Sequence, residues 1–159
     1  MNSILVIGKP NSGKSLLFNR LTGLNQKVAN FPGVTTEVKR GFFEDLQIID
    51  LPGVYSFNPI TLDEKIAIEK FEEELLKDSS KVVLCLLDGT RLEQSLVLGL
   101  HAQKKSNLAG KPVIFVVNML DEIISSKTQI DLSALEEKLR APVIGISAKT
   151  KLGLKELEE

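Results

Sequence analysis

One cysteine and one histidine stand among the 159 residues of this chain. A lone cysteine cannot close an internal disulfide, which suits a reducing compartment. Cys85 also lies within the apolar run Val82-Val83-Leu84-Cys85-Leu86-Leu87, which reads as a strand, so it is expected to be inert core and not a nucleophile. His101 has no second metal-type ligand at helical spacing, and no Cys/His/carboxylate grouping with the spacing of an iron site stands out. No apolar run approaches the length of a membrane span, and the N-terminus leads straight into a strand without a signal peptide. An excess of either charge is missing too. A net charge of -1 argues against broad electrostatic attraction to nucleic acid or anionic lipid. Internal repeats, linkers and low-complexity stretches are absent. The remainder is ordinary globular composition, 43% hydrophobic and 26% charged, and one domain over residues 1–159 is expected.

The most informative residues that are present are Gly8-Lys9-Pro10-Asn11-Ser12-Gly13-Lys14-Ser15, a GxxxxGK[ST] pattern. The β-rich run Ile4-Leu5-Val6-Ile7 precedes them, and Leu16, Leu17, Arg20 and Leu21 continue as an amphipathic helix that Gly23 would end. Strand, glycine loop and helix N-terminus together make a phosphate cradle. Backbone N–H groups of Gly8, Asn11, Ser12, Gly13, Lys14, Ser15 and Leu16 would face the phosphates, the helix dipole favours anions, and Lys14 would lie along the β/γ-phosphates. The Ser15 hydroxyl suits Mg²⁺.

Apolar strands alternate with amphipathic stretches along the whole chain. The expected strands are 3–7, 38–43, 47–51, 82–87, 113–117 and 143–146; the expected helices are 14–22, 62–76, 92–107, 133–139 and a last one from Leu154. Only Glu44-Asp45-Leu46 joins the second and third strands, too short for a parallel crossover, so that pair must be an antiparallel hairpin. The fold class is therefore α/β: a P-loop nucleotide-binding fold of the Ras-like G-domain kind, with a six-stranded mixed sheet containing one reversed strand. Ligands of such sheets sit at the carboxyl ends of the strands. The closing run Gly153-Leu154-Lys155-Glu156-Leu157-Glu158-Glu159 reads like the first turns of a helix, so the chain is expected to be a fragment of a longer protein.

Two further motifs fall at strand ends. Asn118-Met119-Leu120-Asp121 offers a carboxylate able to accept from guanine N1–H and N2–H₂, a donor pair that adenine lacks, while Asn118 would tie loops together and touch the base edge. Alone, the pair could equally cap a turn. Ser147-Ala148-Lys149 follows the last strand, where the Ala148 N–H could face the guanine carbonyl. Taken in order with the cradle, these motifs point to GTP and GDP. Asp50-Leu51-Pro52-Gly53 supplies an acid suited to Mg²⁺ through a water, and a Gly53 N–H for a γ-phosphate. In Asn30-Phe31-Pro32-Gly33-Val34-Thr35-Thr36-Glu37, Thr35 is chosen over Thr36 to complete the Mg²⁺ shell when the γ-phosphate is present. Val54 occupies the place where many GTPases carry a water-orienting glutamine, and no arginine finger can be identified, so slow intrinsic hydrolysis is expected.

The stretches GKPNSGKS, NFPGVTTE, DLPGVYS, NMLDE and SAK, in this order, resemble the GTPase domain of the ferrous iron transport protein B (FeoB) family over nearly the whole chain. Soluble ribosome-assembly GTPases share part of the pattern, but usually have lysine at the place of Met119 and DTPG at the place of DLPG. The resemblance implies a cytoplasmic G domain of a bacterial inner-membrane Fe²⁺ transporter, followed by a helical stalk and a membrane region. It also implies potassium activation, because related GTPases with an asparagine at the place of Asn11 hold K⁺ near the phosphates. The bland alternative is that Asn11 only stabilises the loop turn. Phe31 and Lys9 depart from the usual family residues without touching a phosphate contact. Met119 can cover the base with apolar surface but carries no charge, so faster GDP release than in lysine-bearing GTPases is expected.

Two rival readings remain in view: a soluble RNA- or ribosome-associated GTPase, disfavoured by the slight net acidity, and a non-hydrolysing nucleotide sensor, made plausible by Val54. The oligomeric state stays open, with self-association among the readings, and nucleic acid is not an expected partner.

Overall fold

The computed structural model of the chain describes residues 1–23, 26–30 as backbone, and 37–159. Among the described residues seven strands form one sheet: β1 (Ser3–Gly8), β2 (Gln26–Asn30), β3 (Glu37–Phe43), β4 (Leu46–Asp50), β5 (Ser80–Asp88), β6 (Val113–Asn118) and β7 (Val143–Gly145). Their spatial order is β2-β3-β4-β1-β5-β6-β7. The helices are α1 (Lys14–Thr22), α2 (Leu62–Leu75), α3 (Leu92–Leu108), α4 (Leu120–Ser125), α5 (Leu132–Leu139) and α6 (Leu154–Glu158).

The six expected strands are all present, each within two residues of its expected ends. The β3–β4 pair is the antiparallel hairpin that the short connection requires, turning at Glu44 with φ 51°. β3 alone runs against the other strands, since β2 pairs antiparallel with β3 and thus shares the direction of β4 and β1. The seventh strand, β2, was not expected. It is a short, polar edge strand (QKVAN) that exists through its pairing with β3, which apolar patterning does not reveal. Helix α4 was not expected either; it spans six residues, too few for a helical period to register.

Period-two alternation splits the core between the two faces of the sheet. Leu5, Ile7, Ile49, Cys85, Leu87, Phe115 and Val117 face α2, α3 and α5, where Phe71, Leu75, Leu98 and Leu139 meet them. Val6, Ile48, Leu84, Leu86 and Val116 face α1 and α6, against Leu17, Phe18, Leu21 and Leu154. Phe18, Phe71 and Phe115 are fully buried, and truncating any of them to alanine would cost about 3–5 kcal/mol. Burial pushes the Cys85 thiol up to about 12, which leaves it inert. Helix α2 opens on a capping box: the Thr61 hydroxyl accepts from the Glu64 N–H, and the Glu64 carboxylate accepts from the Thr61 N–H. Among the described residues no helix is long and apolar enough to cross a membrane.

The registers align the strand ends that matter. Val6 pairs with Asp50, Gly8 with Leu86, Asp88 with Asn118 and Val117 with Gly145. The carboxyl ends of β1, β4, β5, β6 and β7 therefore open onto one edge of the sheet, where the sequence motifs gather.

Candidate functional site

The loop between β1 and α1 turns twice through left-handed backbone, at Asn11 (φ 64°) and Gly13 (φ 90°). Asparagine tolerates that region and glycine favours it, which accounts for both residue types in the turn. Gly13 is held by space as well as by angle: a Cβ there would stand 2.1 Å from Asn118 Nδ2. Gly8 is similarly close-packed, its missing Cβ facing Ser12 Oγ and Leu86. The Ser12 N–H donates to Lys9 O at 3.2 Å, closing the turn, and Leu17 N–H to Gly13 O at 3.0 Å starts the helix. Ser15 and Leu16 stand exposed at the first turn of α1, and with Asn11, Gly13, Lys14 and Gly53 they line a cleft of about 280 Å³.

Lys14 is buried. Its ammonium donates to the Asp50 carboxylate, an ion pair, and to the Leu51 carbonyl at 2.6 Å. This brings the cradle lysine and the acid at the end of β4 together, as the motif order requires. A second cleft of about 470 Å³ lies over Lys14, Ser15, Asp50 and Gly53. Gly53 packs against the cradle so closely that a Cβ would stand 2.9 Å from Pro10 N, and the next N–H, of Val54, donates to Gly8 O at 3.2 Å. The Val54 side chain is 2% exposed and belongs to the hydrophobic core, so it turns away from the cleft. Thr35, together with Phe31 and the rest of segment 31–36, lies outside the described residues.

On the other side of the cradle, Asn118 is buried at the end of β6 and uses both ends of its amide. Nδ2 donates to Ser12 O at 3.0 Å, and Oδ1 accepts from Ala148 N–H at 3.0 Å. The expectation that Asn118 ties loops together is met. The Ala148 N–H, which the sequence suggests could face a guanine carbonyl, donates here to Asn118, because the loop passes directly over that buried amide. The Asn118 amide carries a second N–H that can reach a base edge. Met119 takes left-handed backbone (φ 66°), which turns the chain into α4 and puts half-buried Asp121 in that helix's first turn. Met119 also lines a cleft of about 490 Å³ with Lys9, Asn11, Asp88, Arg91 and Glu122. Ser147 is fully buried, its hydroxyl accepting from Thr150 N–H at 3.1 Å, and Lys149 is exposed.

One contact was not legible beforehand. Arg20, on the last turn of α1, donates from Nε to Ala148 O at 3.1 Å and from Nη2 to Lys149 O at 3.2 Å. Its place in an amphipathic helix gave no hint of partners 128 and 129 positions away. His101, by contrast, packs edge-on against the Phe57 ring at 6.3 Å, the packing role that its isolation suggested.

Comparison with known proteins agrees with this geometry. The family profile described as ferrous iron transport protein B matches residues 2–159. The chain is 38% identical over 160 residues to the Fe(2+) transporter FeoB of Leptospira biflexa, covering 98% of this chain and 22% of that protein. It is 36% identical over 158 residues to a FeoA/FeoB fusion protein of Porphyromonas gingivalis, covering 97% of this chain and 18% of that one. The chain thus spans about a fifth of the length of these relatives. Among solved structures, the cytosolic domain of the T. maritima FeoB iron transporter in its GMPPNP form superposes with a TM-score of 0.84 at 39% identity, covering 99% of this chain and 61% of that one. NFeoB from S. thermophilus bound to GDP.AlF4- and K+ gives a TM-score of 0.82 at 37% identity, covering 99% and 59%.

Proposed function

The chain belongs to the ferrous iron transport protein B family, and from that premise we propose that it is the GTP-binding and GTP-hydrolysing switch domain of a ferrous iron transporter. One observation carries the reading. A single buried side chain, Asn118, joins the carbonyl of the phosphate cradle at Ser12 to the loop at Ala148, so phosphate and base elements form one continuous site.

In this reading the N–H groups of Gly8 and of Asn11 to Leu16 surround the phosphates, and Lys14 exchanges its bond to Asp50 for β/γ-phosphate oxygens. The donor set fits a hard divalent cation, with an exposed hydroxyl opening α1 and a buried carboxylate beside the lysine. Ser15, Asp50 (through a water) and Thr35 would hold it. Mg²⁺ bound there would neutralise phosphate charge. Gly53 presents its N–H toward the γ-phosphate, and Asp121 accepts from the guanine edge. The Ala148 N–H, which donates to Asn118 here, would face the guanine carbonyl. Asn11, exposed and carrying a carboxamide oxygen at the cradle's outer turn, would hold K⁺, which supplies the positive charge that an arginine finger supplies elsewhere. With Val54 in the core, no side chain at that position orients the attacking water, so hydrolysis is slow without K⁺.

The parent chain would add a helical stalk and a membrane-spanning iron path, placing this domain at the cytoplasmic face of a bacterial inner membrane. The core position of Val54 also favours a second reading, a nucleotide sensor that does not turn over. Calorimetry with GDP and ADP, followed by single-turnover phosphate release from GTP, tests both. GDP preferred over ADP with phosphate released supports the enzyme, GDP preferred with no release supports the sensor, and ADP held as tightly as GDP ends both.

A further inference from the structure

The helix that starts at the phosphate cradle ends at the base loop. Lys14 and Ser15 open α1, and Arg20 stands six residues after Lys14, about 9 Å along the axis at the helical rise. There its guanidinium meets two successive carbonyls of the loop after β7, Ala148 O at 3.1 Å and Lys149 O at 3.2 Å. The other side of the same peptide segment is held too, since Ala148 N–H donates to Asn118, and Asn118 donates to Ser12 O in the cradle. The contacts close a circuit: cradle, α1, Arg20, the 148–149 loop, Asn118 and the cradle again.

Resting on the guanine-nucleotide reading above, we propose that Arg20 is a positioning residue that fixes the 147–149 loop against α1 and thereby sets how long a guanine nucleotide stays bound. The loop is gripped from its front by Asn118 and from its back by Arg20. Without Arg20, one hydrogen bond from Ala148 N–H to Asn118 and the internal Ser147 contacts to Thr150 and Leu152 remain to hold it. Departure of the base requires this loop to yield, so a loop held on one side lets go sooner. The fork geometry matters: a guanidinium offers parallel donors to neighbouring carbonyls, whereas a lysine ammonium is a single point on a flexible stem. Arg20 is exposed, so its removal opens no cavity and the variant folds. A bland role exists, since a cation in the last turn of a helix favours the helix dipole. Lysine would serve that role equally well, and this separates the two.

The test compares the chain as it stands with Arg20→Ala and Arg20→Lys. Release of a fluorescent GDP analogue is followed by stopped flow, GTP turnover is measured in KCl, and melting temperature is recorded. Two lost hydrogen bonds of ordinary strength predict release about 5- to 30-fold faster for Arg20→Ala. The KM for GTP should rise while kcat at saturation holds, because the phosphates are gripped elsewhere. Arg20→Lys should remain at least several-fold faster than the parent chain. Unchanged release in Arg20→Ala overturns the proposal, as does full rescue by lysine, or a joint fall of kcat and melting temperature. If the parent chain binds ADP as tightly as GDP, the guanine reading fails and the proposal falls with it. If the parent chain prefers GDP and only the Arg20 predictions fail, the guanine reading stands.

Discussion

Gly13 and Asn118 touch so closely that a methyl group on the first would stand 2.1 Å from Nδ2 of the second. The glycine of the phosphate cradle and the asparagine of the base motif are therefore packed against each other. Gly13→Ala would suffer twice, from the left-handed φ of 90° and from displacement of the Asn118 amide that holds Ser12 and Ala148. The strain costs about 1–3 kcal/mol and the broken bridge a similar amount. Gly110→Ala is the control, since Gly110 also has positive φ but has nothing within 4 Å of a Cβ. Calorimetry should show GDP affinity falling at least about 30-fold for Gly13→Ala and unchanged for Gly110→Ala.

In the proposed reading, Asp121 is the residue on which the choice of base depends. Its carboxylate offers only acceptors to guanine N1–H and N2–H₂. Asp121→Asn turns one acceptor into a donor, which would oppose a guanine N–H but suit the C2 carbonyl of xanthine. GDP affinity should fall about 10- to 150-fold, in line with a lost charged hydrogen bond, while xanthosine diphosphate gains. Competition between the two nucleotides for the variant measures the exchange, and an undiminished preference for GDP would remove Asp121 from base recognition.

Much of the fold and site was legible because chemistry and periodicity coincide there. Strands β1, β5 and β6 are near-continuous apolar runs, α1 stops at Gly23 with φ 62° as a terminating glycine should, and the motif residues fall at strand ends. Where the signal was local, it could be read. The pairing that makes β2 is a property of β3 and not of QKVAN itself. Arg20 gave no sign of its partners because hydrogen bonds to main-chain carbonyls leave no residue-type signature at the accepting end. The diversion of the Ala148 N–H to Asn118 is likewise a matter of Å-scale packing that spacing cannot convey.

The proposed potassium dependence rests on the exposed Asn11 and the inward-turned Val54. GTP turnover should be several-fold faster in KCl than in NaCl at equal ionic strength, since an added cation beside the phosphates stabilises developing charge. Asn11→Ala should abolish the difference between the two salts and leave GDP affinity within a few-fold. Equal rates for the parent chain in the two salts would leave Asn11 as a turn residue only.

Met119 stands where a lysine is more familiar, in a cleft that Asp88 and Glu122 also line. A lysine stem there would cover the base equally well, and its ammonium would have carboxylates and cradle carbonyls within the same cleft to bond. Met119→Lys should therefore slow GDP dissociation by a few-fold to about tenfold, the effect of one charge-assisted hydrogen bond at a half-buried position. Stopped-flow release of a fluorescent GDP analogue measures it, and a dissociation rate equal to that of the parent chain would count against the role given to Met119.

The last prediction concerns the far end of the interior. Glu74 of α2 is 1% exposed and accepts from Arg40 Nη2 at 2.6 Å and Lys77 Nζ at 2.8 Å, with Lys70 Nζ at 3.7 Å. Burial is the largest single influence on this carboxyl and would raise its pKa. The hydrogen bonds from Lys77 and Arg40, together with their charges, outweigh it and hold the group below its ordinary value of 4.5. A carboxyl with a lowered folded-state pKa stabilises the protein above its unfolded value, and that stability is lost as pH falls through the folded value. Glu74→Gln keeps the shape, removes the charge, and should cost about 1–3 kcal/mol at pH 7, read from urea midpoints. On acidification below pH 4.5 the parent chain loses the same charge by protonation, so the gap between the two proteins should close. A gap that stays constant from neutral pH down to the acid limit of folding would show that Arg40 and Lys77 do not hold Glu74 ionised.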